Sequence, residues 1–284
     1  MGNKILILGA SGFIGNAIYK ELRPYFDVYG TYFSQENLYG ENQVFQRFDA
    51  ATDDVEDIIN TVQPDVIISC FTATHPAGLK VHKQLFSYVT VAQNCKLIFI
   101  SSALVFDGAM QFPAKEKDKP LAISETGKYY LSIEKLIKQL PEENYIIFRL
   151  PQVLGVNAPE LIRLKMAIKH KTIFEVFEDL VVNVTTDTQF PRHLHYLINQ
   201  KKSGIFHSGS TDLIHHSDLF EEITEKLGDN TPVFKRTYAS NTDRFLAVLP
   251  ATSFEISEYN FTVTDVINEV TLKEEIATLK TTLL

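Results

Sequence analysis

Cysteine is scarce in this chain, with only Cys70 and Cys95 among 284 residues and no CxxC spacing. So few thiols, both in or beside apolar segments, make no disulfide framework, and a thiol-reducing compartment is the simplest setting. Long apolar runs are missing too. Lys4 is followed only by the short stretch Ile5–Leu8 before the glycines begin, which is too short for a secretory segment or a membrane span. Leu6 also stands where a myristoylation signal starting at Met1-Gly2 needs Ser or Thr. A cytoplasmic protein that does not engage a membrane is therefore expected. Positive charge is in deficit: 27 Lys and Arg face 35 Asp and Glu, for a net charge of −8. Phosphate-backbone affinity comes from clustered cations, so no nucleic-acid partner is expected, and any bound anion must be held by local donors. No fixed-period repeat or low-complexity stretch occurs. No Gly-x-Ser-x-Gly elbow surrounds Ser208, and the adjacent His215 and His216 lack ligands at metal spacing; neither a hydrolase triad nor a metal site is expected.

What is present suits a globular domain able to bury a full core: 45% hydrophobic and 22% charged residues, with mean hydropathy of −0.04. Short β-branched runs recur at Ile5–Leu8, Val28–Thr31, Val44–Phe48, Val66–Cys70, Leu97–Ser101 and Tyr145–Leu150. Several are almost continuously apolar, as strands covered on both faces must be. Helical patterns lie between them. Val55, Ile58, Ile59 and Val62 form one apolar stripe that ends near Pro64, and Ile133, Leu136, Ile137 and Leu140 form another after Thr126. Alternating strand and helix predicts an α/β fold: a Rossmann-type doubly wound parallel sheet, with a smaller C-terminal substrate lobe where the pattern loosens past Leu150. The mixed-charge run Ala114–Pro120 is expected to be a solvated loop without function.

Directly after the first strand stands Gly9-Ala10-Ser11-Gly12-Phe13-Ile14-Gly15, leading into helical spacing over Asn16–Leu22. Glycines suit a tight turn at which backbone N–H groups of a helix start meet a pyrophosphate. The competing reading is a tight strand-to-helix turn with no ligand. An acidic residue about twenty positions on would hold a ribose 2′-hydroxyl, but Thr31, Tyr32, Phe33 and Ser34 follow the second strand. Neither a carboxylate nor an arginine stands there, so NADP and NAD both remain admissible. Asp49 opens an acidic turn suited to an adenine amino group. Its competing role, a carboxylate at a helix start, fits Asp53 or Asp54 better.

Taken together, Ile5–Gly15, Pro64–Ser69, Ser101–Gly108 with its Val-Phe-Asp-Gly, Phe148–Leu150 and Gly204–Ser210 resemble the extended short-chain dehydrogenase/reductase superfamily, in its dTDP-4-dehydrorhamnose reductase branch. The resemblance implies an NAD(P)-binding domain over 1–155 and about 180–220, and a substrate-binding lobe over about 156–179 and 221–284. It also implies hydride delivery from NADPH or NADH to a 4-keto sugar carried on a nucleotide. The cofactor-binding residues it points to are Gly9, Ser11, Gly12, Phe13, Ile14, Gly15, Asp49, Ala50, Cys70 and Tyr130. Ser102 matches the family's hydroxyl that polarises the substrate carbonyl, and Gly204–Ser210 the seventh-strand region.

One departure bears on catalysis. The branch carries Tyr-Gly-x-x-Lys at the start of the helix after the fifth strand, where this chain has Thr126-Gly-Lys-Tyr-Tyr130. A tyrosine becomes a usable acid when a neighbouring cation lowers its pKa, and a threonine hydroxyl does not ionise in that range. Tyr130 also sits about 6 Å further along the helix than the family's acid, at 1.5 Å per residue. His75, beside Pro76 and expected on a loop at the carboxyl edge of the sheet, is a candidate substitute acid, its competing reading being an ordinary loop histidine. The catalytic candidates are thus Ser102, Thr126, Tyr130 and His75. Two functions follow. One is a nucleotide-sugar 4-keto reductase-like protein acting on or binding a nucleotide sugar. The alternative is a non-catalytic cofactor- or ligand-binding regulatory subunit, with a homodimer or a partner enzyme as its macromolecular partner.

Overall fold

The computed structural model describes residues 4–34, 36–92, 94–228, 230–251 and 259–282, with side chains described as far as residue 272. Contacts divide the described residues into two compact units: Met1–Val105, Ala122–Arg149 and Pro191–Phe206 form one, and Phe106–Leu121, Leu150–Phe190 and His207–Leu284 the other. Segments 106–121, 180–190 and 207–220 thus fall in the second unit, whereas the sequence placed them with the dinucleotide domain. A local reason is visible. Ala114 bridges Val248, and the Glu116 carboxylate accepts from the amides of His207 and Ala251. The mixed-charge run is a loop with Lys115, Lys117, Asp118 and Lys119 exposed, as expected, and it is tied down at Ala114 and Glu116.

The first unit holds strands β1 (Lys4–Leu8), β2 (Asp27–Tyr32), β3 (Phe45–Arg47), β4 (Val66–Ser69), β5 (Lys96–Ser102) and β6 (Tyr145–Leu150), alternating with helices α1 (Phe13–Leu22), α2 (Glu36–Tyr39), α3 (Val55–Val62), α4 (His75–Val91) and α5 (Glu125–Ile137). With the edge strand Gly204–His207 they make a seven-stranded sheet whose order from that edge is β6-β5-β4-β1-β2-β3. The β1–β2, β1–β4, β2–β3 and β4–β5 pairs are all parallel. This is the doubly wound arrangement expected. Every residue of β4 and of β6 is buried, which explains their continuous apolar sequences. Leu6 and Leu8 join the core cluster built on α3, α4 and α5, while Ile5 and Ile7 are buried outside it. Alternate residues of one strand thus serve cores on both faces.

Local signals set the helix ends. The Asp54 side chain caps α3 by accepting from Glu56 N, and Gln63 closes it in the left-handed conformation. Ser124 caps α5 through Gly127 N. Helix α4 is the element that the sequence reading lacked: Thr74 precedes it and a proline occupies its first turn, so His75 begins a helix rather than lying on a loop.

The second unit is assembled from small pieces. Gln152–Leu154 pairs in parallel with Val184–Thr186, and Ile173–Phe177 with Val233–Thr237. Leu180–Val182 lies between Ile214–His215 and Arg244–Leu246. Helices Pro159–His170, His216–Leu227 and Val263–Thr282 accompany them. Among the described residues, no helix is long and apolar enough to cross a membrane.

Two buried polar groups of the first unit make predictions. Arg149 and Glu134, each with a side chain 1% exposed, form a forked ion pair of 2.9 and 2.7 Å, and Ser101 Oγ donates to the same carboxylate at 2.6 Å. Removing one partner strands a buried charge, so Glu134→Ala is expected to lower stability by about 3–5 kcal/mol in urea unfolding. His82 donates from Nδ1 to Gly78 O at 2.7 Å and accepts from Ser69 Oγ at 2.9 Å, and burial lowers its pKa to about 4. An unfolded histidine titrates near 6.5. The unfolded chain therefore takes up the proton first as the pH falls, and the stability held above pH 6.5 is lost progressively down to pH 4. Between pH 7 and pH 5 this histidine is expected to cost about 2 kcal/mol, at 1.36 kcal/mol per pKa unit. Urea midpoints at both pH values check the direction, and His82→Gln should flatten the slope.

Candidate dinucleotide site

The carboxyl ends of β1 to β4 meet around a cleft of about 400 Å³, a size typical of small-molecule sites. It lies where the strand order reverses between β1 and β4, the place at which doubly wound sheets open a crevice. Four loops line it: Gly9, Ser11 and Gly12 after β1; Thr31–Ser34 at the end of β2; Phe48–Ala51 after β3; and Cys70–Thr74 after β4.

The turn after β1 separates what the fold requires from what a ligand requires. Gly9 has φ +90°, and a Cβ on it would lie 2.7 Å from Phe71 Cα. A Cβ on Gly15 would lie 2.1 Å from the Gly9 carbonyl oxygen. Both must be glycine for the chain to turn and for α1 to press against it. Gly12 differs. Its φ is an ordinary −76°, and a Cβ there would meet only the Gly9 oxygen, at 3.4 Å. No packing within the protein demands glycine at 12; its bare face lines the cleft. That is the cradle expected where backbone must approach a diphosphate closely.

Donors converge on the same spot. Gly9 N donates to Thr31 Oγ1 at 2.9 Å, Ser11 N to Thr31 O at 3.3 Å and Gly12 N to Gly9 O at 3.0 Å, so the turn satisfies its own first amides. The next ones, on Phe13, Ile14 and Gly15, form the opening of α1, which has no side-chain cap and no acid in its first turn. Helix α4 likewise begins uncapped and without an acid, at Thr74 on the cleft wall. By contrast α3 and α5 carry both a side-chain cap and an acid in the first turn. The two helix starts that border the cleft thus keep their positive ends uncompensated.

The acidic turn after β3 sorts itself. Asp54 caps α3, and Asp53 accepts from Asp49 N at 2.7 Å, which with the Thr52 hydroxyl holds its pKa below the usual carboxylate range. Asp49 alone of the three lines the cleft; one of its oxygens accepts from Ala51 N at 2.9 Å. On the β4 side, the Cys70 thiol donates to Leu8 O at 3.2 Å, and burial pushes its pKa up to about 12.

Of the residues expected from sequence, Gly9, Ser11, Gly12, Asp49, Ala50 and Cys70 line the cleft. Phe13, Ile14 and Gly15 stand immediately behind, in the first turn of α1. Tyr130 rests against Phe99 at 5.9 Å between ring centroids; burial, and then neighbouring Cys70, raise its pKa. Ser102 ends β5, and its Oγ accepts from Leu104 N at 3.2 Å. That bond leaves the hydroxyl hydrogen available for a carbonyl. Thr126 is exposed in the first turn of α5. His75 is exposed and sets its ring edge-on to Tyr129 at 5.3 Å. Ser102, Thr126, Tyr130 and His75 are not part of the cleft wall. The sequence reading missed Phe33, Thr72 and Thr74 as wall residues; their place at the ends of β2 and β4 was the available signal.

A family model described as RmlD substrate binding domain matches residues 3–251. The chain belongs to this family. Among its relatives, the probable low-salt glycan biosynthesis reductase Agl14 of Haloferax volcanii is 23% identical over 258 residues, covering 84% of this chain and 85% of that protein. Methionine adenosyltransferase 2 subunit beta of Bos taurus is 30% identical over 174 residues, or 54% of this chain; the match spans 47% of that subunit, about half its length. The dTDP-4-dehydrorhamnose reductase of Bacillus anthracis, solved in complex with NADP, has the same fold: TM-score 0.73 at 17% identity, over 96% of this chain and all of that one (100%).

The glycine analysis predicts an asymmetry. Gly15→Ala is expected to destabilise by about 3 kcal/mol or more or to abolish folding, since backbone must move. Gly12→Ala should stay within about 1 kcal/mol of the parent. Thermal unfolding of the two variants side by side measures the difference, and equal losses would contradict it.

Proposed function

We propose that this RmlD-family chain binds a nicotinamide dinucleotide in the cleft and acts on or binds a nucleotide sugar in the manner of a 4-keto reductase. The observation that carries this reading is Gly12, a glycine on the cleft wall for which the protein's own packing gives no reason. The amides of Phe13, Ile14 and Gly15 would hold the diphosphate, the Asp49 carboxylate the adenine amino group, and Cys70 and Tyr130 would flank the nicotinamide ribose. Bound NADPH or NADH would supply a hydride. The Ser102 hydroxyl would donate to the keto oxygen of the sugar and so polarise the carbonyl. The Bacillus anthracis reductase, of the same fold, was solved with NADP, and the Haloferax volcanii relative is named as a probable reductase.

A specific observation favours a second reading, a non-catalytic subunit that binds cofactor or nucleotide sugar and regulates a partner enzyme. The pKa of Tyr130 is raised by burial, opposite to what an acid in this position needs. Thr126 cannot ionise in its place. A bovine relative is named as a subunit of methionine adenosyltransferase, in keeping with such a role.

Both readings require dinucleotide binding. Titration of the purified chain with NADPH and NADH is expected to show saturable binding of at least one, and Gly12→Ala to weaken it tenfold or more. Failure of both nucleotides to bind would overturn the proposal. Candidate 4-keto-sugar nucleotides added to the complex then divide the two readings: oxidation of the cofactor supports the reductase, and binding without turnover the subunit. Loss of a general acid typically lowers rates about 10²- to 10⁴-fold. Thr126→Tyr together with Tyr130→Lys is therefore expected to create or raise turnover if the chain is a reductase.

A further inference from the structure

The end of β2 has no carboxylate to hold or repel a group on the adenosine ribose, and from sequence no arginine either. In three dimensions an arginine comes from the neighbouring strand. Parallel pairing of β2 with β3 sets Arg47 in register with Tyr32, one residue before Phe33. The Arg47 guanidinium carbon lies 6.0 Å from the centroid of the Phe33 ring, and Phe33 is an exposed part of the cleft wall. The guanidinium is therefore at the rim where the adenosine ribose of a bound dinucleotide would lie.

Its donors are not committed elsewhere. The side chain is 50% exposed, and its charged neighbour, Asp53 Oδ2, is 3.8 Å from Nη1, beyond hydrogen-bonding distance. Both Asp53 oxygens already have donors, Asp49 N at 2.7 Å and Thr52 Oγ1 at 2.9 Å. Among the described residues, no acceptor takes up the guanidinium N–H groups. A planar fork of N–H donors matches a phosphate through two bonds at once. It offers a ribose 2′-hydroxyl much less. The end of β2 itself, residues 31–34, adds no carboxylate to repel a phosphate, and the acid beside the guanidinium is Asp53.

We propose that Arg47 is a specificity-determining residue that recognises the 2′-phosphate of NADP(H), so that this chain prefers NADPH to NADH. The proposal rests on the reading of the cleft as a dinucleotide site. Preference arises from attraction of the phosphate, not from exclusion of NAD, and a charge-assisted, solvent-accessible fork should make it about ten- to a hundredfold. Added salt screens exposed charges, so the preference shrinks as ionic strength rises.

Calorimetric titration of the parent, Arg47→Ala and Arg47→Lys with NADPH and NADH tests this. The parent is expected to bind NADPH about ten- to a hundredfold more tightly. In Arg47→Ala the ratio of the two affinities should fall toward one, and Arg47→Lys, which keeps the charge and loses the fork, should lie between. A residue that merely supported the fold would weaken both nucleotides together and leave the ratio alone. Equal affinities in the parent, or an undiminished ratio in Arg47→Ala, would overturn the role of Arg47 while leaving the dinucleotide site standing. If neither nucleotide binds, both proposals fall. Adenosine 2′,5′-bisphosphate against 5′-AMP, titrated into the parent, reads the same phosphate without the nicotinamide half, and equal affinities there also count against Arg47.

Discussion

The carbonyl oxygen of Gly9 sits so close to the start of α1 that a single methyl group on Gly15 would lie 2.1 Å from it. This contact forces the first helix to begin directly at the end of the first strand, because neither backbone can retreat. Its consequence is positional. The opening of α1 is held at the carboxyl edge of the sheet, at the one point where β1 and β4 diverge and leave room between their loops. The cleft walls, the unspent amides of Phe13 to Gly15 and the bare face of Gly12 all follow from that placement. Packing within the protein requires glycine at 9 and 15 but not at 12, although the three look alike in the sequence.

A second buried constraint frames the reacting side. The Arg149–Glu134 ion pair joins β6 to α5, and Ser101 ties β5 to the same carboxylate. Ser102 follows Ser101, and Tyr130 lies one helical turn before Glu134, so this network fixes the elements that carry both. A buried ion pair is a weak source of net stability, but it fixes register strongly because any other arrangement strands a charge. The elements that carry Ser102 and Tyr130 are therefore held in register, although Thr126 and Tyr130 stand where the resemblance expects Tyr and Lys. The ion pair that orders these elements involves neither Thr126 nor Tyr130, although Tyr130 packs against the core.

Physical reasons separate what could be read from the residues alone from what could not. Strands such as Tyr145–Leu150 were legible because burial on both faces demands a continuous apolar run. Helix α3 was legible because its four apolar positions at helical spacing must all meet the core. The start of α4 was not: Thr74-His75-Pro76 carries turn-like residues, and proline in the first turn of a helix has the same local signature as proline in a loop. The tie made by Glu116 was hidden for another reason. A carboxylate in a mixed-charge run looks solvated until distant amides at His207 and Ala251 come to it. Arg47 was invisible in the same way, since a search along the chain after β2 cannot find a cation delivered by the next strand. The start of α4 was lost in an ambiguous local signal, whereas Glu116 and Arg47 depend on segments brought together only by the fold.

Charge brings these observations together. A chain with a net charge of −8 repels anions at long range, and a diphosphate would be held only if short-range donors outweigh that field. Two helix starts of the first unit neutralise themselves: Asp54, Glu56 and Asp57 at α3, and Ser124 and Glu125 at α5. Helices α1 and α4 carry neither a side-chain cap nor an acid in the first turn, and both open onto the cleft. Leaving a helix end uncapped costs about 1 kcal/mol of stability, which a fold selected only for packing would recover with one Ser, Asp or Glu. Two such omissions facing one crevice, beside a glycine that packing does not require, have a common physical explanation in a bound anion. At the cleft the sequence withholds acids from two helix starts, and β3 brings Arg47 to its rim.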